Sequence, residues 1–312
     1  MTAPKVSVIM NCLNGEKYLR EAIDSVYAQT YTDWEIIFWD NASTDDTRNM
    51  VHGYDDRLRY FRGEKTIPLG EARNKALSEA RGEYIAFLDC DDRWMPQKLE
   101  RQIPLFEDPD VGIVFSDSFI FNQSGCRYRY YKDTPYATGR CFRQLLSEYF
   151  LIMQTVVLRS RALEEEGEWF DLSFEIIEEG DLFIRIAYRW KLAMVDEPLA
   201  EYRLHPESFT WTKGCLAADE TESFLEKLEK RIPDFWAQYG REAARTRMAA
   251  QLKKGSYCLR MGDRKSVRDC TSPYILRSRR AFMMFMATLL PESFLLPLLR
   301  FFLKGRVVAD KI

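Results

Sequence analysis

Apolar runs alternate with stretches of helical period along the first third of the chain. Val6 to Met10, interrupted only by Ser7, reads as a strand buried on both faces. Leu19, Ala22, Ile23, Val26 and Tyr27 then recur at helical spacing, and Trp34 to Trp39 supplies a second strand. Leu58 to Phe61, a helix from Leu69 to Ala80, Tyr84 to Leu88, a helix beginning near Pro96 and Val111 to Phe115 repeat the theme. Such alternation predicts an α/β fold, a mostly parallel sheet flanked by crossover helices. Residues 125–139 are polar and tyrosine-rich without a clear period, which predicts a long loop or irregular strands and a lid over a site. A strand at Thr155 to Leu158 and a helix at Asp181 to Trp190 follow, and beyond Lys213 the pattern is helical.

Near the C-terminus, Ala281 to Leu290 and Phe294 to Leu303 are strongly apolar but are interrupted by Pro291, Glu292 and Pro297. Neither reaches the roughly 20 residues that cross a bilayer. Arg277, Arg279, Arg280, Arg300, Lys304 and Arg306 flank them, a combination that fits helices lying in a membrane interface. Packing as a helical lid or a dimer interface is the alternative.

Composition sharpens this reading. With 312 residues, 46% of them hydrophobic, the chain can build a large core, which excludes disorder and a disulfide-stapled miniprotein. Seven cysteines without CxxC spacing, and no signal peptide before Val6, predict a reducing, cytoplasmic compartment. The net charge of −3 hides an asymmetry: residues 1–205 carry 25 basic against 36 acidic side chains, and residues 206–312 carry 20 against 12. The basic part predicts an anionic partner, with nucleic acid and an anionic lipid surface as candidates on charge alone. Given the apolar segments, a membrane surface is expected and a nucleic-acid partner is not.

In open parallel sheets ligands bind beyond the carboxyl ends of the strands, and here those positions are polar. Asn11 to Asn14 follow the first strand, Asp40 to Thr44 the second, and Asp89, Cys90, Asp91 and Asp92 the strand ending at Leu88. Three carboxylates within four residues repel one another unless a cation or hydrogen bonds compensate, and all-oxygen ligation suits Mg2+ or Mn2+. A solvated acidic turn capping the next helix is the bland alternative. Dinucleotide, P-loop, zincin and hydrolase motifs are missing from the places where they would act. With His52 and His205 the only histidines, little room is left for a histidine-rich zinc site.

The order of motifs resembles the family-2 inverting glycosyltransferases of the GT-A fold, from Val6 to about Thr210. The blocks are VSVIMNCLN (Val6 to Asn14), QTYTDWEI (Gln29 to Ile36) leading to DNASTD (Asp40 to Asp45), GEARN (Gly70 to Asn74), GEYIAFLDCDD (Gly82 to Asp92) continued by WMPQKL (Trp94 to Leu99), EEGDLFIR (Glu178 to Arg185) and YRLH (Tyr202 to His205). The resemblance implies a transferase domain over residues 1–210, followed by a basic helical region over 211–312. It implies that Asp89 approaches the donor ribose, that Asp91 holds the divalent metal on the donor diphosphate, and that His205 is a further metal or diphosphate contact. Asn11, Leu13 and Asn41 would line the base pocket, Asp40 would stand on the nucleotide-side turn, and Arg73 would reach toward the donor.

Glu179 falls where the family has the aspartate that acts as catalytic base, with Glu178 and Asp181 as alternatives. Asn41 replaces a frequent aspartate, so UDP- and dTDP-sugars both remain open as donors. Inverting transfer needs a carboxylate to take the acceptor proton and a cation to absorb charge on the departing diphosphate, and both residue types are present. The expected acceptor is a lipid-linked or cell-surface glycan, met at the inner face of the membrane. A nucleotidylyltransferase would want a glycine-rich basic loop after the first strand, of which Asn14-Gly15-Glu16-Lys17 is a poor version. A catalytically silent sugar-nucleotide-binding protein is the third reading, supported only by the glutamate at 179.

Overall fold

The structure is a computed structural model that describes residues 3–122, 125, 127–205 and 215–290. Strand β1 (Val6–Cys12) is buried at six of its seven positions, the signature of a strand covered on both faces. Helix α1 (Leu19–Tyr27) buries Leu19, Ala22, Ile23 and Val26 and returns the chain to β2 (Trp34–Asp40), which pairs parallel to β1 with Val6 opposite Trp34. Helix α2 (Thr47–Val51), β3 (Leu58–Arg62), α3 (Leu69–Leu77) and β4 (Tyr84–Phe87) complete a parallel block in the order β3-β2-β1-β4. All four strands therefore point their carboxyl ends at one rim. Val8, Met10, Ile36, Phe38 and Ala86 form the centre of the core, with the α1 residues packed on them.

The other half of the sheet is mixed. After β5 (Arg93–Trp94) and α4 (Lys98–Gln102) come β6 (Val111–Asn122), β7 (Arg127–Arg129), α5 (Phe142–Ser147), β8 (Val157–Arg159), α6 (Ser160–Glu166), α7 (Glu178–Arg189) and β9 (Lys191–Leu204). The sheet runs on from β4 through β8, β6 and β9 to β5, and β8 is antiparallel to both of its neighbours. The apolar pattern carries no clean signal for β9. Its register with β6 slips around Asp117, where Ser116 faces Val195 but Asp117 faces Pro198, so Asp196 and Glu197 sit in an irregularity that masks the strand period.

The lid expected over residues 125–139 is in part a sheet element. The fully buried carboxylate of Asp117 accepts hydrogen bonds from Arg129, from the Tyr131 amide (2.9 Å) and from the Ser118 amide (2.7 Å). A buried carboxylate without such donors would be strongly destabilising. Tyr131 is drawn into the core as a consequence, and its hydroxyl donates to the Phe150 carbonyl.

The chain divides into two compact units at His205/Pro206. The second is helical wherever it is described: α8 (Ala217–Arg231), α9 (Phe235–Arg260), α10 (Arg264–Thr271) and α11 (Arg279–Ala287). Arg247 of α9 forks onto Glu222 of α8 at 2.7 Å, and Asp263 caps α10 by accepting from the Ser266 amide. Leu252, Leu259, Val267, Ala281 and Met284 make its small core. Phe282, Met286 and Leu289 are 51%, 44% and 58% exposed, which leaves an apolar face on α11. Among the described residues no helix is long and apolar enough to cross a membrane. The second apolar segment, Phe294 to Leu303, with Arg300, Lys304 and Arg306, lies outside the described residues, as does the expected boundary at 210/211.

Candidate active site

The rim is built by two interlocked turns. Asn14 and Ala42 have left-handed backbones (φ 55° and 64°). Asn14 Oδ1 accepts from the Thr44 amide at 2.8 Å, while the Asn14 amide donates to Ser43 Oγ at 2.9 Å. Leu13, 47% exposed, stands on this rim as an apolar surface. Asn11 Nδ2 is buried with no hydrogen-bond partner among the described residues, a donor that calls for an acceptor.

Asp40 and Asn41, both expected beside the nucleotide, have their side chains engaged inside the protein. The Asp40 carboxylate is fully buried and accepts from the Ser43 amide, Tyr60 Oη and Arg62, at 2.6–2.7 Å. The Asn41 amide pairs with the Ile67 backbone, donating to its carbonyl at 2.8 Å and accepting from its N–H at 3.1 Å. Their side chains shape the turn in this conformation. Burial is the reason, since a polar group withdrawn from water binds whatever protein partner is nearest.

The Asp89–Asp92 turn follows β4, and its three carboxylates separate by environment. Asp92 is buried and accepts from the Arg203 amide at 2.7 Å, while Arg203 Nε donates to the Asp91 carbonyl at 2.8 Å, so this acid stitches the turn to β9. Burial pushes the Asp92 carboxyl well up, and repulsion from Asp91 and Asp89 adds to it. Burial likewise raises Asp89, against the attraction of Arg73. Asp91 is partly open, and its Oδ2 lies 2.8 Å from His205 Nε2. His205 Nδ1 is buried with no partner among the described residues. Two predicted metal contacts 114 positions apart thus meet side by side.

No group of three or more His, Cys, Asp or Glu side chains among the described residues could hold a metal by itself. The donor set nevertheless fits an Mg2+ or Mn2+ ion, which keeps waters and shares diphosphate oxygens rather than demanding a full protein cage.

Arg73 of α3 joins the acidic turn to α7. Its guanidinium lies 2.8 Å from Glu178 Oε1 and 3.3 Å from Asp89 Oδ1. Burial works against its charge, but Asp89, Glu178 and Glu179 outweigh that and raise its pKa. Three acids open α7, favoured there by the helix dipole. Glu178 is buried in the Arg73 pair, and Asp181 is buried in a pair with Arg185 at 2.9 Å. Glu179 is half-buried, with Oε1 3.5 Å from Tyr149 Oη. Burial, then the Glu179 charge, pushes the Tyr149 phenol well up, so it stays a proton donor. Glu179 stands half-buried between Tyr149 and the charge of the buried Arg73.

Sequence reading missed Arg203 and Tyr149. Arg203 stands inside the closing YRLH block, but nothing in its spacing shows that it reaches back to Glu21 (2.9 Å) and the Asp91 carbonyl. Tyr149 carried no signal at all.

The model of the glycosyl transferase family 2 domain matches residues 7–167. An uncharacterized glycosyltransferase of Methanocaldococcus jannaschii is 31% identical over 211 residues, 65% of this chain and 72% of that protein. The Escherichia coli UDP-Glc:α-D-GlcNAc-diphosphoundecaprenol β-1,3-glucosyltransferase WfgD is 38% identical over 120 residues, 38% of this chain and 47% of WfgD. Other matched proteins too are covered over only about half of their length. Among solved structures, the Pyrobaculum calidifontis mannosyltransferase PcManGT, in complex with GDP-Man and Mn2+, aligns with a TM-score of 0.60 at 17% identity, over 91% of this chain and 79% of that one. That likeness is one of fold, and it places the strand rim within a GT-A architecture. With the parallel block, the acidic turn beyond β4 and a family match over half of its length, the chain belongs to glycosyl transferase family 2.

Proposed function

We propose that this glycosyltransferase moves a sugar, with inversion at the anomeric carbon, from a nucleoside-diphosphate sugar to a hydroxyl of a lipid-linked or cell-surface glycan, with Mg2+ or Mn2+. The observation that carries the reading is the acidic turn beyond β4: Asp91 lies 2.8 Å from His205, and Arg73 ties Asp89 to the first turn of α7, where Glu179 stands half-buried in the place a general base is needed. The acceptor hydroxyl gives its proton to the Glu179 carboxylate as its oxygen attacks the anomeric carbon. Tyr149 Oη orients that carboxylate, and Arg73 holds Asp89 and α7 in a fixed relation. A divalent ion bound by Asp91 and His205 would supply positive charge to the departing diphosphate. Asn11 and Leu13 offer a hydrogen-bond donor and an apolar face for the base, while Asp40 and Asn41 support the turn that carries them.

WfgD acts on a diphosphoundecaprenol-linked sugar with UDP-Glc, and PcManGT was captured with GDP-Man and Mn2+. These support a nucleotide-sugar donor, a lipid-linked acceptor and a metal for this chain. The exposed apolar face of α11 beside Arg277 and Arg279 supports peripheral attachment at the inner face of the membrane, where such an acceptor resides.

The test is incubation with UDP-, dTDP- and GDP-sugars and a polyprenyl-diphosphate sugar acceptor, with Mn2+, Mg2+ or EDTA, following nucleotide release and the anomer formed. Release of a nucleoside diphosphate with an inverted linkage, abolished by EDTA, is expected. Pyrophosphate release would instead identify a nucleotidylyltransferase, and no turnover with any donor would favour a silent binding protein.

A further inference from the structure

Two thiols converge beneath the donor rim. Cys12 ends β1, and Cys90 lies in the acidic turn between Asp89 and Asp91. β1 and β4 are parallel neighbours whose last registered pair is Ile9 and Phe87, so Cys12 closes β1 three residues past that pair and Cys90 lies in the turn three residues past the end of β4. Both sulfurs lie against Gly15: a β-carbon placed there would fall 2.3 Å from Cys12 Sγ and 3.2 Å from Cys90 Sγ. The absence of a side chain at Gly15 is thus what leaves room for both sulfurs. The neighbouring Cys12 thiol, then burial, pushes the Cys90 thiol well up. Cys12 is buried, whereas Cys90 is partly open and can meet a reagent from solvent.

We infer that Cys12 and Cys90 form a reversible disulfide site that closes the donor pocket when a peroxide, or a small-molecule disulfide, oxidises it. With a peroxide, the Cys90 sulfur attacks one oxygen, the O–O bond breaks and one water leaves with the thiol proton, giving a sulfenic acid. The Cys12 sulfur then attacks that sulfur, the S–O bond breaks and a second water leaves. In sum, two thiols and one peroxide give one disulfide and two waters. Forming the S–S bond draws the Asp89–Asp92 turn toward the Asn11–Asn14 rim and changes where Asp91 stands relative to His205. Displacements of about 1 Å in such a constellation cost on the order of 10²-fold in rate. The effect on donor binding rests on the proposed transferase reading; the disulfide itself does not.

The experiment treats the full chain with hydrogen peroxide or oxidised glutathione, blocks remaining thiols and digests it with trypsin without reduction. The peptides Val6–Lys17 and Gly82–Arg93 each hold one of the two cysteines and no other. They are expected joined and lighter by two hydrogens, separable by dithiothreitol, and unjoined in Cys12→Ala and in Cys90→Ala. Mn2+-dependent binding of UDP or GDP should fall at least tenfold on oxidation, return on reduction, and resist oxidant in both variants. Oxidation of the two sulfurs to sulfinic acids without a joined peptide overturns the proposal, as does a joined peptide with unchanged nucleotide binding. A joined peptide in a protein that binds no nucleotide in either state keeps the disulfide site and removes the transferase reading.

Discussion

Arg73 and Glu178, 105 residues apart in sequence, form a buried ion pair at 2.8 Å that ties α3 to the first turn of α7. The same guanidinium reaches Asp89, so one side chain sets the spacing between the acidic turn and the helix that carries Glu179. Arg73→Leu would take the paired cation away from the buried Glu178, a loss of about 3–5 kcal/mol in unfolding free energy measured by urea titration. Arg73→Leu combined with Glu178→Leu should regain part of that loss, because no uncompensated charge remains. A double variant less stable than the single one would show that the pair acts through something other than charge.

Glu179→Gln is expected to leave donor affinity unchanged and to lower turnover by about 10²–10⁴-fold, the usual contribution of a positioned base. The amide keeps the shape and removes the basicity. Tyr149→Phe, which removes the contact to Glu179, should cost less and shift the acidic limb of the pH–rate profile. Near-normal turnover in Glu179→Gln would transfer the role elsewhere.

Asp91→Ala should abolish the Mn2+ dependence of nucleotide binding, weakening it at least about 10-fold, with little change in melting temperature without metal. The side chain is partly open, so its loss leaves no cavity. His205→Ala is expected to act in the same direction, since the loss even of groups that only orient metal ligands costs about 10–100-fold. Isothermal titration with and without EDTA decides it.

Lys98 is fully buried with no acid paired to it among the described residues, held by Gln102 Oε1 at 2.5 Å and lying 4.5 Å from the Trp94 ring centre. Burial lowers its pKa well below the ordinary 10.5. Between that lowered value and 10.5 the unfolded chain binds one more proton than the folded chain. Stability should therefore rise with pH across this window, by up to ~1.4 kcal/mol per pH unit from this group. Lys98→Met should remove this slope. An identical slope in the variant would assign it to other groups.

Vesicles containing anionic lipid should co-sediment the protein at low salt and release it at high salt, because each arginine near the surface contributes about 1 kcal/mol. Phe282→Ser with Met286→Ser should weaken sedimentation at both salt concentrations, since these exposed side chains would supply the apolar contact. Equal sedimentation of both proteins would point to packing against protein instead.

The parallel block was legible in the sequence because its determinants are local. Strands buried on both faces must be apolar throughout, crossover helices must repeat their apolar face every third or fourth residue, and ligand-facing polar residues must follow the strand ends. Val6 to Met10, Leu19 to Tyr27 and the Asp89–Asp92 turn each declare themselves within a dozen residues. The second half of the sheet was less legible, because the Asp117 irregularity breaks the period of β6 against β9. The division of labour among acids was not legible at all. Glu178, Glu179 and Asp181 are chemically near-equivalent in sequence, and only the fold buries Glu178 against Arg73 and Asp181 against Arg185 while Glu179 stays half-buried beside Tyr149. Asp40 and Asn41 stand in donor-side positions, yet the fold turns their side chains inward onto Tyr60, Arg62 and Ile67. Residue type and order determined which chemistry this protein can perform. Burial and charge pairing, which depend on neighbours distant in sequence, decided which side chains remain available to perform it.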